Sequence, residues 1–151
     1  FVLSTLHTSD ATSAVTRLLD LGIPAFLIAA TLQGVLAQRL VRRNCPNCVE
    51  QRKPTATELP ILRHAGLLIE LVSSGKGCDS CKQTGFRGRL GLFEYFQPSD
   101  RFKDALIASA DRAMLRSLSA DDQRGSLWTE GIAKVRAGET TIAEVLRAVQ
   151  H

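Results

Sequence analysis

Cys45-Pro-Asn-Cys48 and Cys78-Asp-Ser-Cys81 are two C-x2-C pairs with 29 residues between them, and together they hold all four cysteines of the chain. Two such pairs can surround one metal ion with four thiolates. Zn²⁺ favours that tetrahedral sulfur set, and a four-sulfur site is closed, with no open position for catalysis. The spacing therefore predicts a structural zinc site on Cys45, Cys48, Cys78 and Cys81. Two disulfides, redox chemistry and plain buried thiols are the alternatives. A disulfide framework suits a small secreted chain, and no segment here reads as a signal peptide. A C-x2-C redox motif needs only one pair.

Working outward, the residues from 41 to about 97 have a character of their own. Gly75, Gly77, Gly85, Gly88 and Gly91 crowd together, a short helix is predicted within 54–66, and strands are predicted over 67–72 and 90–96. A module of this size has little core, and a metal can stand in for one. Arg39, Arg42, Arg43, Arg52 and Lys53 flank the first pair, and Lys76, Lys82, Arg87 and Arg89 surround the second. Cations beside a thiolate cluster offset its negative charge, so they need not signal nucleic acid.

Before this module, Phe1-Val-Leu-Ser-Thr-Leu6 reads as a short buried strand. Asp10 is the expected N-cap of a helix over 11–21, with Val15, Leu18 and Leu19 at helical spacing and Gly22 at its end. Pro24 suits the first turn of a second helix, expected to run to about Leu40 and to be apolar on most faces. After the module the chain reads as helical. Ser99 caps a helix holding Phe102 and Leu106, and a further turn or two carries Met114, Leu115 and Leu118. Ser126 caps a helix with Trp128, Ile132 and Val135, ended by Gly138. Thr141 and Glu144 make a T-x-x-E capping-box pattern before Ile142, Val145, Leu146 and Val149. The single Trp reads as a core anchor. The expected division is 1–40, 41–97 and 98–151: the end of an α/β domain, a tetracysteine module, and a helical C-terminal part.

Composition fits a globular protein: 44% hydrophobic, 23% charged and a mild net charge of +4. The longest apolar run, 25–32, is too short to span a bilayer. The chain opens without Met inside a strand pattern, which reads as a fragment.

A second polar cluster lies at 4–10, where Ser4, Thr5, His7, Thr8, Ser9 and Asp10 follow the expected strand. Ligands of open α/β sheets bind at the carboxyl ends of strands. A His there can meet a phosphate or position a water, although it is more often a hydrogen-bonded structural residue. His64 and His151 have no such setting and read as structural or exposed.

Three stretches carry a resemblance: Ser4-Thr-Leu-His-Thr-Ser-Asp-Ala11, Thr16-Arg-Leu-Leu-Asp-Leu-Gly22 and Gly34-Val-Leu-Ala-Gln-Arg-Leu-Val-Arg-Arg43. They resemble the His box and following helices of the secretion ATPases. The nearest likeness is to the type II secretion assembly ATPases (general secretion pathway protein E) and their type IV pilus relatives. The cysteine pairs followed by Thr84-Gly-Phe-Arg-Gly-Arg-Leu-Gly-Leu-Phe-Glu94 are similar to that family's tetracysteine zinc module. Residues 126–146 are similar to its C-terminal end. The likeness covers essentially the whole chain in the expected order.

The resemblance implies the C-terminal part of a RecA-like P-loop NTPase fold, in a hexameric ring that hydrolyses ATP with Mg²⁺. It also implies a cytoplasmic location at the inner membrane, with platform proteins of the secretion or pilus machine as partners and no specific nucleic acid. It makes His7 the His-box residue near the γ-phosphate, with Thr5 and Thr8 holding its orientation. Arg39 is assigned a structural place on a helix surface. Family members often carry Asn where this chain has Ser9, and Ser also bonds locally. The stretch from Leu32 to Leu40 leans towards the secretion branch. The chain has no G-x-x-x-x-G-K-[ST], so it does not cradle phosphates by itself, and these residues alone are expected to be inactive.

The second reading is a stand-alone zinc module for nucleic acid or unfolded protein. Cys78-x2-Cys81-x3-Gly85 is similar to chaperone zinc knuckles, and the flanking cations suit phosphate. Against it, only Phe86 supplies a ring among those cations, and stacking platforms need several.

Overall fold

Asp10 does what its position requires. In the computed structural model, which describes residues 1–66, 68–109 and 111–149, its carboxylate accepts the backbone N–H of Ser13 at 2.7 Å and starts helix α1, Ala11–Asp20. Leu67 and His151, both used in the sequence reading, lie outside the described residues.

The chain divides into two compact units. The first comprises Phe1–Gln38 and Phe93–Ser126, the second Arg39–Leu92 and Leu127–His151. Strands β1 (Val35–Asn44) and β4 (Phe86–Phe96) contribute residues to both. They form a sheet in the order β1-β4-β5, where β5 is Gln123–Arg124 and pairs antiparallel with Tyr95 and Phe96.

In the first unit, α1 packs with α2 (Ala25–Thr31), α4 (Asp100–Ile107) and α5 (Arg112–Asp122). Its core is aliphatic around one aromatic pair. The Phe96 and Phe102 rings meet edge-on at 5.0 Å and 70°. Ser99 caps α4 as expected, accepting the Phe102 N–H at 3.2 Å.

The second unit holds β2 (Val49–Arg52), α3 (Glu58–His64) and β3 (Val72–Gly75), followed by α6 (Leu127–Arg136) and α7 (Ile142–Val149). β2 and β3 pair antiparallel with Val49 opposite Gly75 and Arg52 opposite Val72. Leu62, Val72, Val135, Ile142 and Val145 form the core, and the half-buried Trp128 packs against them as the anchor its spacing implied.

Three expectations are corrected. Residues 24–40 are not one helix: α2 stops at Thr31 and β1 begins at Val35. Leu-Ala-Gln-Arg-Leu is a strong helix-forming run, but pairing with β4 overrides that preference. Gly34 marks the change, because a Cβ there would stand 2.7 Å from the Tyr95 hydroxyl. Residues 1–6 form no strand; Phe1, Val2 and Leu3 are exposed, and no described strand pairs with them. A strand needs a neighbour for its N–H and C=O groups. The strand expected over 67–72 starts at Val72, where its partner β2, absent from the sequence reading, fixes the register. Among the described residues, no helix is long and apolar enough to cross a membrane.

Candidate metal centre and polar cleft

Each cysteine pair sits in a tight turn closed on itself. The Cys48 N–H donates to the Cys45 carbonyl at 3.2 Å, and the Cys81 N–H donates to the Cys78 carbonyl at 3.1 Å. The second turn is a single 3-10 turn, Asp79–Cys81, after which Lys82 and Gln83 take positive φ. Gly85 ties the two turns together. Its carbonyl accepts the Cys45 N–H at 2.9 Å while its own N–H points at the Cys81 Sγ, 3.3 Å away. Gly75 and Gly85 approach so closely that a Cβ on either would meet the other's backbone.

The four Sγ atoms lie within 4.8 Å of one another. The 45–78, 48–81 and 78–81 separations are 3.9, 3.8 and 3.7 Å. A tetrahedral site with metal–sulfur bonds of about 2.3 Å has sulfur–sulfur edges of about 3.8 Å, so the set fits one ion. A disulfide needs about 2.05 Å, and all four cysteines are free. Cys45, Cys48 and Cys81 are buried, and Cys78 is half-buried.

Burial pushes the Cys81 thiol up, but the N–H groups of Cys78 and Gly85 aimed at its sulfur outweigh burial and bring it below an ordinary thiol. Burial pushes Cys48 up, and the neighbouring sulfurs add to that. Backbone dipoles thus favour the thiolate form of Cys81. At least three of the nine flanking cations are paired with carboxylates. Arg42 is paired with Glu144, Arg52 with Glu58 and Lys76 with Glu50.

In the first unit, a cleft of about 290 Å³ is lined by His7, Thr8, Thr12, Thr16, Arg17 and Arg116, among others. His7 is exposed, and Thr5 is exposed and does not line the cleft. The Thr8 hydroxyl donates to the Asp10 carbonyl at 3.1 Å and so helps hold the turn that follows His7. Burial raises the Asp10 carboxyl, but hydrogen bonds from Ser13 and Ser9 and the nearby Arg116 leave it below its ordinary value. Arg17, Arg116, several hydroxyls and the His7 imidazole line the cleft together with one carboxylate, Asp20, so it offers hydrogen-bond donors to a polar ligand. Arg17 lay inside a stretch quoted above without a role, and Arg116, on α5, had no local signal. His64 is exposed and lines an apolar groove with Pro60, Ile61 and Trp128 in the second unit.

The described residues form a mixed strand-and-helix chain in which the four cysteines lie close together. The family model described as "Type II/IV secretion system protein" matches residues 1–147. The chain belongs to that family.

Among similar proteins, the type IV pilus assembly ATPase TfpB of Acinetobacter baylyi is 40% identical over 98% of this chain and 26% of its own length. The type II secretion system protein E of Pseudomonas aeruginosa is 39% identical over 99% of this chain and 30% of its own length. The type II secretion system ATPase E of Vibrio cholerae is 37% identical over 99% and 30%. The chain thus spans between a quarter and a third of these relatives, and pilus and secretion proteins match it about equally well.

Proposed function

We propose that these residues are the C-terminal part of an ATP-hydrolysing motor that powers type II secretion or type IV pilus assembly. The observation that carries this reading is the match over residues 1–147, shared with relatives described as ATPases of both machines. The cleft around His7 agrees with it. On this reading the fold is the end of a RecA-like domain in a ring of six copies at the cytoplasmic face of the inner membrane. The machine's membrane platform proteins are its partners. ATP and Mg²⁺ bind mainly to residues other than these, since no phosphate-cradling glycine loop is present.

His7 is then placed to donate a hydrogen bond to charge developing on the γ-phosphate. Thr8 supports its turn, and Thr5 has at most an indirect part. Catalysis of phosphoryl transfer is chiefly positioning and charge stabilisation, and removing one such donor lowers kcat about 10²-fold or more.

Cys45, Cys48, Cys78 and Cys81 hold one structural Zn²⁺. The ion supplies cross-linking, not chemistry, and stiffens a module that presents a surface to a neighbouring copy or to the platform.

The test is ATP hydrolysis by the full gene product and its His7→Ala variant, with bound metal measured alongside. A kcat lowered about 10²-fold in a variant that still holds one zinc per chain supports the reading. An unchanged kcat removes His7 from it, and a zinc-free wild-type chain that stays folded removes the metal.

A further inference from the structure

We infer that Glu94 is a positioning residue for His7: its buried carboxylate ties the turn that carries His7 to strand β4. The inference rests on the reading of His7 just given.

Glu94 is 5% exposed, and its Oε1 accepts the N–H of Ala11, the first residue of α1, at 2.9 Å across 83 positions of sequence. Ala11 is fully buried beneath it. On the other side of the turn, Asp10 accepts both the Ser13 N–H and the Ser13 hydroxyl at 2.7 Å, and the Ser9 hydroxyl at 2.9 Å. Two carboxylates therefore hold the helix start, one local and one from a distant strand.

A local cap is enough to begin a helix, and Asp10 supplies it. A second, buried carboxylate loses several kcal/mol of hydration, while a helix terminus returns about 1 kcal/mol. Helix stability alone is a weak reason for Glu94. What the local cap cannot supply is location. Asp10 sets the shape of the turn, whereas Glu94 sets where the turn stands against β4. The Thr12 hydroxyl donates to Ser119 of α5 at 3.0 Å and locates the next turn of α1 in the same way. Arg116 lies one helical turn before Ser119, so that second bond sets Thr12 against Arg116, while the Glu94 bond sets the turn that carries His7. A misplacement of about 1 Å in such a set costs about 10²-fold in rate.

The experiment is steady-state ATP hydrolysis by the full gene product, with kcat and KM read separately and thermal melting followed in parallel. Glu94→Gln keeps an acceptor oxygen and is expected to retain kcat within about threefold. Glu94→Asp keeps charge and burial but draws the acceptor back by one bond length. It is expected to lower kcat about 10-fold or more, with KM for ATP within about twofold. In a His7→Ala background, Glu94→Asp is expected to cause no further loss. An unchanged kcat in Glu94→Asp, while His7→Ala is impaired, overturns the inference alone. An equal loss with and without His7 also overturns it, because Glu94 then acts elsewhere. If His7→Ala itself is unimpaired, the reading of His7 fails and takes this inference with it.

Discussion

Arg42 and Glu144 stand 102 positions apart in sequence and 2.6 Å apart in the second unit. Glu144 also accepts the Arg42 backbone N–H at 3.0 Å and a second guanidinium, from Arg147, at 2.8 Å. The Thr140 hydroxyl returns a bond to the Arg42 carbonyl, and the guanidinium of Arg42 lies 4.2 Å above the Phe86 ring. One buried carboxylate thereby clamps α7 onto the strand that leads into Cys45. The T-x-x-E pattern is real only in half: Thr141 accepts the Glu144 N–H at 3.4 Å, but the Glu144 carboxylate has gone to the arginines.

Removing that carboxylate should destabilise the second unit by about 2 kcal/mol. The Glu144 carboxylate is 3% exposed, but Arg42 and Arg147 are about half exposed, so neither is left as a buried bare cation. The loss is then the charge-assisted hydrogen bonds, below the 3–5 kcal/mol of a fully buried broken pair. Urea melts followed by Trp128, the chain's only tryptophan, report this unit. Glu144→Gln should lose about half as much as Glu144→Ala, because it keeps an acceptor for the Arg42 N–H. Equal midpoints for wild type and Glu144→Ala would remove the clamp from the account.

Metal removal should melt the second unit before the first. Cys45, Cys48 and Cys81 form a buried cluster of their own, with little else packed against them. In small metal sites the binding free energy is folding free energy. A strong chelator, or Cys45→Ser, should release one zinc per chain and expose Trp128, while far-UV CD retains the signal of α1, α2, α4 and α5. Retention of the native Trp128 emission in a zinc-free Cys45→Ser chain contradicts the assignment.

Gly85→Ala should weaken the metal site, and Gly88→Ala should not. Both glycines have positive φ, +76° and +81°, so a side chain strains each backbone by about 1 kcal/mol. Only at Gly85 would the new Cβ meet backbone, that of Gly75, whereas nothing lies within 4 Å at Gly88. Overpacking adds about 1–3 kcal/mol. Gly85 also donates to Cys81 and accepts from Cys45, so its displacement moves both turns. Competition with a colorimetric chelator should show weaker zinc retention in Gly85→Ala alone. Identical behaviour of the two variants means that backbone conformation, not the close approach, is what matters.

The features legible in the sequence are those written in local chemistry. Asp10 and Ser99 each cap the helix expected of them, because capping is settled within four residues. The cysteine pairs come together because each turn closes on itself and the pairing of β2 with β3 carries one towards the other. The strand at 35–44 was hidden for the opposite reason. Its residues favour helix, and only β4, more than forty positions on, makes them extended. Glu94 and Arg116 were silent for the same cause. A buried Glu in an apolar strand signals nothing until the helix start it holds is placed beside it.

Acid should loosen the second unit between about pH 4.5 and pH 2. Burial raises the Glu144 carboxyl, but Arg42 and Arg147 outweigh it and hold it down at about 2. Bonds from Arg52, then from the Thr55 N–H and hydroxyl, bring Glu58 to about 2 as well. A carboxylate with a depressed folded value stabilises the fold fully above its unfolded value of about 4.5. That contribution is lost as pH falls through the folded value. The shift at Glu144 corresponds to at most about 3 kcal/mol, reduced to about 2 by solvent around the two arginines. A metal held by the four thiolates would be released earlier in the descent, since protons compete for them. Loss of metal is common to both chains, so the difference between wild type and Glu144→Gln isolates the carboxylate effect. The wild-type urea midpoint, read at Trp128, should fall from pH 5 to pH 3, and the slope should be shallower in Glu144→Gln. A midpoint in Glu144→Gln that falls as steeply as in wild type would assign the acid sensitivity to Glu58 or to other carboxylates instead.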